Sequence, residues 1–370
     1  MQDRYATRRD RLNSLVKKTG ANAFVVTNVL NVSYLTGFSG DDSYLVLGNG
    51  KSVLISDRRY DEQIAEECPG LPVLIREPGE SMAAALQKVV PLPKGKPGTI
   101  GIEAGSVTFS ESDIFLKAFP EHDIMPLDDL VEDLREIKDR WEVDAILDSL
   151  RCARKAFEVV RAALRSEQTE RDIKHEMEYQ MHKFGADGLG FPTIVASGAR
   201  AALAHAVPTV QYCAGSSELL LIDWGAKKNF YISDLTRVLI TGKRPSAKLR
   251  KIYQIVLEAQ LKAIDTIKPG IASEDVDAAA RNYIKDAGYG HAFGHGLGHG
   301  LGMLCHDRGG FRIGNKTILK PGMVLTVEPG IYLPGWGGIR IEDDILVTKT
   351  GCQVLSEGFP KEFDAMLVDL

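Results

Sequence analysis

Apolar and polar positions alternate in short blocks over the first third of the chain. Helical spacing of apolar residues between Tyr5 and Thr19 predicts a helix, which Gly20 is expected to end. Short apolar runs predict strands at residues 23–26, 44–47, 53–55, 73–75 and 99–103. Further helices are predicted near residues 57–67 and 81–90. This alternation is typical of an α/β layer structure with a core of its own.

The pattern changes near residue 137 to longer helical stripes. Apolar residues recur at helical spacing over residues 140–166, and further helices are predicted behind Thr169, over 246–267 and behind Ser273. Strands are predicted at residues 219–222, 231–240, 323–327 and 339–347. The chain is therefore expected to be an α+β protein. We expect an N-terminal α/β domain (1–130), a linker (131–137) and a second domain (138–370).

Residues 219–234 predict a hairpin that carries two aspartates. With the turn at Lys228-Asn229, counting outward puts Asp223 opposite Asp234 on one face of the sheet, with Cβ atoms about 5 Å apart. Two charges at that distance repel by roughly 3 kcal/mol at an effective dielectric constant near 20. A cation, or a proton on one of the carboxylates, is needed to relieve this repulsion.

A second pair of acids repeats the arrangement. Glu328 and Glu342 lie in strand-like sequence and are equally far from Gly335, which lies in a segment that must turn. They are therefore predicted to face each other. Each acid by itself is equally consistent with an ordinary exposed strand residue, but four acids at symmetric hairpin positions favour a common site.

Four of the eight histidines fall between His291 and His306, where glycine occupies every second position of residues 294–302. In an extended segment His295 and His299 share one face. The segment contains neither a phosphate-binding GxxxxGK[ST] or GxGxxG loop nor an HExxH zinc-protease motif. Carboxylates combined with histidine suit a hard or borderline divalent metal, manganese first, with cobalt, iron or zinc as alternatives. Carboxylates that can bridge favour two ions.

Composition narrows the classes of partner. The net charge of −5 gives no electrostatic reason to expect binding to nucleic acid or to an anionic membrane. No apolar run approaches the length of a membrane span, and no secretory signal is evident at the N-terminus. The five cysteines are scattered and form no CxxC pair. We therefore expect a cytoplasmic protein with reduced thiols.

Seven short motifs occur in an order that is specific to one family. They are FPTIVASG (191–198), LAH (203–205), IDWGA (222–226), SDLTR (233–237), the histidine segment (295–306), VEPG (327–330) and RIEDD (340–344). Together they resemble the pita-bread metallopeptidases, which include aminopeptidase P, prolidase, methionine aminopeptidase and the non-metal relative creatinase. The resemblance covers the whole chain. It implies a creatinase-like N-terminal domain followed by a pita-bread catalytic domain.

The resemblance also implies roles for particular residues. The metal ligands would be Asp223, Asp234, His299, Glu328 and Glu342. Of these, Asp234 and Glu342 would bridge two ions, and Glu328 would also shuttle a proton.

The remaining implied roles concern the substrate. His205 and His306 would flank the scissile carbonyl group as catalytic residues, whereas His295 would bind substrate. Arg340 would orient the metal ligands or meet a substrate carboxylate. Asp307 and residues 303–305 depart from the commoner family sequence, as do residues 201–204. We expect these departures to affect substrate preference, since none replaces a ligand.

The intact ligand set disfavours a creatinase, and the N-terminal domain disfavours a methionine aminopeptidase. The resemblance therefore implies hydrolysis of the bond between an N-terminal residue and proline by a hydroxide that bridges two divalent metals. The expected enzyme is an Xaa-Pro aminopeptidase, and the alternative is an Xaa-Pro dipeptidase (prolidase). A non-catalytic binding module is a third reading. Residues 34–40 resemble a segment that reaches the active site of a neighbouring subunit in such enzymes, so a homodimer is expected.

Overall fold

A computed structural model describes residues 4–370, which divide into two compact units; the first ends at Arg135 and the second begins at Glu136. The helices of the first unit are α1 (Arg4–Thr19), α2 (Val29–Thr36), α3 (Asp61–Glu67), α4 (Met82–Val89), α5 (Phe109–Ala118) and α6 (Leu130–Glu136), which reaches the boundary. Its strands are β1 (Ala23–Val26), β2 (Tyr44–Gly48), β3 (Lys51–Asp57), β4 (Val73–Arg76), β5 (Thr99–Glu103) and β6 (Asp123–Leu127). Helix α6 occupies most of the segment 131–137 that was predicted as a linker. The bounds of the two domains stay a prediction.

One mixed sheet organises the first unit, with strand order β4-β3-β2-β1-β5-β6. Strands β1, β5 and β6 run parallel, and β2 pairs antiparallel with β1 and β3. Val25 and Ile100 of the sheet share a buried cluster with Ala85 of α4 and Phe115 of α5. Burial of helices against this mixed sheet is the α/β layer structure that the hydrophobic pattern predicts.

Helix α2 was missed because its residues, VLNVSYLT, are mostly apolar, β-branched or aromatic and favour a strand. Its caps decide the local structure instead. The Asn28 side chain accepts hydrogen bonds from the backbone N–H groups of Leu30 and Asn31, and Gly37 ends the helix in the left-handed region at φ +83°. Tyr34 and Leu35 are buried in the first unit.

The second unit combines four long helices with short strands. The helices are α7 (Arg140–Ala162), α8 (Glu170–Lys183), α9 (Ala247–Thr266) and α10 (Ser273–Asp286). Thr169 caps α8 as predicted, through a capping box with Asp172, whereas the N-cap of α10 is Ala272 and Ser273 is already helical. None of the helices found within residues 4–370 has the length and apolarity needed to cross a bilayer.

The strands of the second unit are β7 (Gly188–Leu189), β8 (Ile194–Ser197), β9 (Leu219–Trp224), β10 (Ala226–Lys228), β11 (Tyr231–Ile232), β12 (Leu235–Ile240), β13 (Gly298–Gly300), β14 (Asp307–Phe311), β15 (Val324–Val327), β16 (Gly330–Leu333), β17 (Gly337–Arg340), β18 (Asp343–Val347) and β19 (Cys352–Val354). They form sheets β12-β9-β8, β11-β10-β7 and β14-β13-β15-β18-β19, and the hairpin β16-β17. The predicted strands 231–240 and 339–347 each break in two. The breaks fall at Asp234 and Glu342, and Glu328 likewise lies between β15 and β16.

Candidate active site

The two aspartates lie on neighbouring strands, but the predicted pairing between them is wrong. Asp223 pairs with Thr236, because the turn falls at Asn229 and Phe230 and shifts the register by two residues. Both turn residues are left-handed, with φ of +50° and +71°, as a two-residue hairpin of primed type requires. Asp234 therefore falls opposite Gly225, two residues from Asp223 on the same sheet face.

Gly225 is required at this point. A Cβ atom on residue 225 would lie 2.0 Å from the backbone oxygen of Ser233, much closer than atoms can approach. The absence of a side chain lets the two strands come together beside Asp234. Asp234 is thereby placed in the break between β11 and β12, where the residue is 3% exposed.

The glutamates face each other as predicted. Gly330 pairs with Arg340 and Val327 pairs with Asp343, and this single register places Glu342 opposite Glu328. The turn centres on Gly335, at φ +79°. The symmetric spacing about Gly335 was therefore sufficient to predict the pairing.

His299 points one ring nitrogen at the carboxylates. Its Nε2 atom lies 3.3 Å from Glu328 Oε1 and 3.6 Å from Asp234 Oδ2, whereas Nδ1 lies 3.1 Å from the carbonyl oxygen of Gly300. Burial lowers the pKa of His299 to about 4, so the ring is neutral at pH 7. A proton on Nδ1, donated to Gly300, leaves the lone pair of Nε2 free for a metal ion.

Every site residue predicted from the sequence lines one cavity of about 600 Å³. These residues are His205, Asp223, Asp234, His295, His299, His306, Glu328, Arg340 and Glu342. His295 and His299 were predicted to lie in one extended segment. Only His299 lies in a strand, β13, and His295 precedes it. The structure brings the nine residues together, and their individual roles remain proposals.

The carboxylates repel one another in a buried site. Burial, followed by the charges of Glu342 and Asp223, raises the pKa of Asp234 well above its usual value. Burial and the charges of Glu328 and Asp223 do the same for the pKa of Glu342. Burial also raises the pKa of Glu328 to about 8, against the opposing charge of Arg340. These shifts show that the site needs additional positive charge to hold all its carboxylates ionised.

The donor atoms fit a divalent metal. One ligand atom each from Asp234, His299 and Glu342 lies within 4.8 Å of the others. Among residues 4–370, no hydrogen-bond partner is found for the buried Oδ1 atoms of Asp223 and Asp234. Buried carboxylate oxygens are normally paired, so a bound cation accounts for both. Oxygen and imidazole donors in this proportion suit a hard or borderline divalent ion.

Arg340 ties several cavity residues together. Its guanidinium is 3% exposed and donates to Asp223 Oδ2, to Thr236 Oγ1 at 3.1 Å and to the hydroxyl of Tyr332 at 2.9 Å. The same hydroxyl lies 2.9 Å from His295 Nε2. Arg340 was predicted either to orient the metal ligands or to meet a substrate carboxylate. Its contact with Asp223 fits the first of these roles.

Two buried threonines hold the ligands in place, and the sequence had not identified them. Thr236 donates to Glu342 Oε2 at 2.6 Å, and Thr326 donates to Glu328 Oε1 at 3.3 Å. Thr326 also accepts a hydrogen bond from the backbone N–H of His299 at 3.1 Å. The spacing could have identified them. Thr236 lies two residues from Asp234 and Thr326 two residues from Glu328, and residues two apart in a strand share one face.

The cavity also contains two cationic residues and a tyrosine that the motifs do not include. Lys174 and Arg312 line it, together with Tyr332. Lys174 lies 3.7 Å from Glu178, whereas no ion pair of Arg312 is found within residues 4–370. Nothing in the sequence distinguishes Lys174 and Arg312 from the other basic residues, which are scattered over the whole chain.

Comparison with known proteins accounts for both units. Residues 8–137 match the creatinase/prolidase N-terminal domain, and residues 144–349 match metallopeptidase family M24. This chain belongs to metallopeptidase family M24. It is therefore a hydrolase, and membership implies that it binds a divalent metal.

Similar M24 proteins extend over nearly the full length of the chain. An Xaa-Pro dipeptidase of Pyrococcus furiosus is 35% identical over 354 residues, which cover 94% of this chain and 98% of that relative. The structure of an Xaa-Pro dipeptidase from Bacillus anthracis is similar at a TM-score of 0.90 and 35% identity, covering 99% and 100% of the two chains. The X-Pro aminopeptidase from Thermotoga maritima is similar at a TM-score of 0.88 and 34% identity, covering 98% and 100%. The predicted fold, a creatinase-type domain before a pita-bread catalytic domain, is confirmed.

Proposed function

We propose that this metallopeptidase hydrolyses the bond between an N-terminal residue and proline, and that dipeptides are its main substrates. The observation that carries the choice of dipeptides is the pair of cationic side chains, Lys174 and Arg312, in the cavity that holds the carboxylates. A dipeptide has its own carboxylate next to the scissile bond, and a guanidinium recognises a carboxylate in bidentate geometry. The relatives from Pyrococcus furiosus and Bacillus anthracis, both named Xaa-Pro dipeptidases, support the same choice.

The sequence alone had favoured an Xaa-Pro aminopeptidase acting on longer peptides. That activity remains the second candidate, because the similar protein from Thermotoga maritima is named an X-Pro aminopeptidase. A cavity of about 600 Å³ also has room for more than two residues. The two candidates differ in what the space beyond proline holds, a terminal carboxylate or a continuing chain.

The proposed metal ligands are Asp223, Asp234, His299, Glu328 and Glu342, with two divalent ions and manganese as the first choice. Divalent ions held there would supply Lewis acidity, polarising the scissile carbonyl group and making water nucleophilic near neutral pH. The other groups of the chain are proposed to bind and orient the peptide.

His205 and His306 are proposed to donate hydrogen bonds to the scissile carbonyl oxygen, on which negative charge develops. Both side chains are exposed at the cavity surface. Glu328 is proposed to accept the proton of the attacking water and pass it to the leaving proline nitrogen. His295 is fixed by the hydroxyl of Tyr332 and is proposed to bind the substrate.

A cytoplasmic location and a homodimer belong to the same proposal. Both rest on the sequence: the location on the five scattered cysteines without a CxxC pair, and the homodimer on the family resemblance of residues 34–40. Size-exclusion chromatography with light scattering would test the dimer, since a mass near 81 kDa is about twice the 40.5 kDa of one chain.

Hydrolysis of Ala-Pro and Ala-Pro-Ala by protein stripped of metal and reloaded with manganese tests the activity. We expect faster cleavage of the dipeptide. Arg312→Ala should lower kcat/KM for Ala-Pro by about 10–100-fold, as loss of a charge-assisted hydrogen bond predicts, and should change the tripeptide much less. Arg244→Ala, an exposed arginine outside the cavity, is the matched control.

Each outcome has a separate meaning. Cleavage of the tripeptide alone would replace the dipeptidase proposal with the aminopeptidase. Equal losses on both peptides in Arg312→Ala would remove Arg312 from carboxylate recognition. Failure to cleave either peptide while manganese binds would refute proline-specific hydrolysis.

A further inference from the structure

A sulfur atom lies at the edge of the carboxylate site, next to two imidazoles. One ligand atom each from His299, Cys305 and His306 lies within 4.8 Å of the others. The rings of His299 and His306 are 4.3 Å apart and meet edge to face at 76°. Cys305 Sγ lies 3.3 Å from Oδ2 of Asp234, whose other carboxylate oxygen is buried without a hydrogen-bond partner among residues 4–370.

The chain between β13 and β14 produces this convergence. The register shifts between His299 and Gly300, and the backbone N–H of Gly302 donates to the carbonyl oxygen of Leu304 at 3.1 Å. Neighbouring residues of a regular strand would point to opposite faces, but Cys305 and His306 follow this tight turn and both line the cavity. The turn therefore presents a thiol and an imidazole on the same side.

Two sets of three ligands overlap at His299. One set consists of Asp234, His299 and Glu342, and the other of His299, Cys305 and His306. Only Nε2 of His299 is free to bind a metal, because Nδ1 faces the carbonyl oxygen of Gly300 at 3.1 Å. One nitrogen lone pair can serve one ion, so occupation of one set weakens the other.

The two sets select different metals. Carboxylate oxygens suit hard ions such as manganese, whereas a thiolate with two imidazoles suits zinc and softer ions. Three N and S ligands are also the number that leaves a tetrahedral zinc one open position. His299 is thus shared by a carboxylate-rich ligand set that suits hard ions and a sulfur-containing ligand set that suits thiophilic ions.

We propose that His299, Cys305 and His306 bind one thiophilic divalent ion of the zinc and cadmium class, in competition with the carboxylate-rich set for His299 Nε2. As the metal–sulfur bond forms, the S–H bond of Cys305 breaks and its proton passes to Asp234 or to solvent. No oxidant or reductant is involved. The site is defined by its ligands and does not depend on proline-specific hydrolysis.

Cadmium titration of the chelator-treated full-length protein tests this site, since a cadmium–thiolate bond gives an ultraviolet charge-transfer band. We expect a band that saturates at about one ion per chain and disappears in Cys305→Ser. Cys213→Ser is the matched control, because that thiol is also partly exposed and lies outside the cavity. His306→Ala should keep the band but weaken cadmium binding by at least about tenfold.

Preloading with manganese tests the competition. Because both ions need His299, manganese should weaken the apparent cadmium affinity. Zinc in excess should compete with cadmium for the same three ligands and lower the band. The proposal would be overturned by a band that persists in Cys305→Ser or by the absence of a band in the wild-type protein. It would also be overturned if neither His306→Ala nor manganese changed cadmium binding. Circular dichroism of each variant shows whether it has folded. No peptide enters the assay, so its failure is distinct from failure of the proposed peptidase activity.

Discussion

Replacing Glu328 with glutamine in the metal-free protein tests the electrostatic account of the carboxylate site. The substitution keeps the shape of the side chain and removes one negative charge from a buried group that includes Asp223 and Glu342. Burial raises the pKa of Glu328 from 4.5 to about 8. The ionised native protein is therefore destabilised relative to the unfolded chain, in which the carboxylate is solvated.

The sign and size of the effect follow from this pKa. Below pH 4.5 Glu328 is protonated in both states and contributes nothing. Between pH 4.5 and about 8 the native state holds the extra proton, so stability falls as pH rises, and above pH 8 the loss is complete. The shift corresponds to roughly 5 kcal/mol at 1.36 kcal/mol per pKa unit. Because Asp234 and Glu342 share the repulsion, we expect Glu328→Gln to stabilise the protein by roughly 2–4 kcal/mol at pH 9 and by less than about 1 kcal/mol at pH 5.

Urea unfolding in the presence of chelator, followed by tryptophan fluorescence, measures this difference. All three tryptophans, Trp141, Trp224 and Trp336, belong to the second unit and report on the part of the chain that holds the site. Glu357→Gln removes an exposed carboxylate of the same unit and is the control. A Glu328→Gln variant that is no more stable than wild type at pH 9, or equally changed at pH 5 and pH 9, would refute the reasoning.

Two further substitutions probe the support of the site. Arg237 is fully buried, lies 2.8 Å from Asp343 and donates to the carbonyl oxygen of Glu342, so Arg237→Met should cost about 3–5 kcal/mol in the same urea assay. A loss below 1 kcal/mol would contradict this. Arg281 donates to the carbonyl oxygen of His295 at 2.7 Å, so Arg281→Met should lower kcat/KM about tenfold while manganese affinity, measured by calorimetry, stays within twofold. An equal loss of manganese affinity would contradict a role confined to positioning.

Local spacing predicted one half of the site and misplaced the other. Glu328 and Glu342 are symmetric about Gly335, a residue that readily adopts the left-handed conformation of a turn, so counting outward gave the observed pairing. The predicted register of the aspartate hairpin was wrong because Phe230 adopts a left-handed conformation. This conformation is rare for a bulky residue, and the sequence does not indicate it. The face of the sheet was still predicted correctly, because a shift of two residues preserves alternation.

The residues that sequence reasoning missed depend on contacts between distant segments. Thr236 donates to Glu342 and accepts a hydrogen bond from Arg340, and both partners lie more than 100 positions away along the chain. Arg312 reaches the cavity through an irregular loop. Hydrophobic periodicity assigns faces to elements but cannot state which elements meet. The family motifs supplied that missing information for the five proposed ligands and for His205, His295, His306 and Arg340.

The charges of the buried site favour two metal ions over one. Four carboxylates, Asp223, Asp234, Glu328 and Glu342, share the cavity with one buried guanidinium, that of Arg340, which leaves three uncompensated negative charges. A single divalent ion would leave one negative charge in a region where burial already opposes ionisation, whereas two divalent ions bring the sum to one positive charge. That surplus positive charge suits a site that must attract a nucleophile and stabilise a developing oxyanion. Bound cations therefore neutralise an excess of carboxylates that would otherwise have to take up protons, and metal binding and the folding of the second unit should reinforce each other.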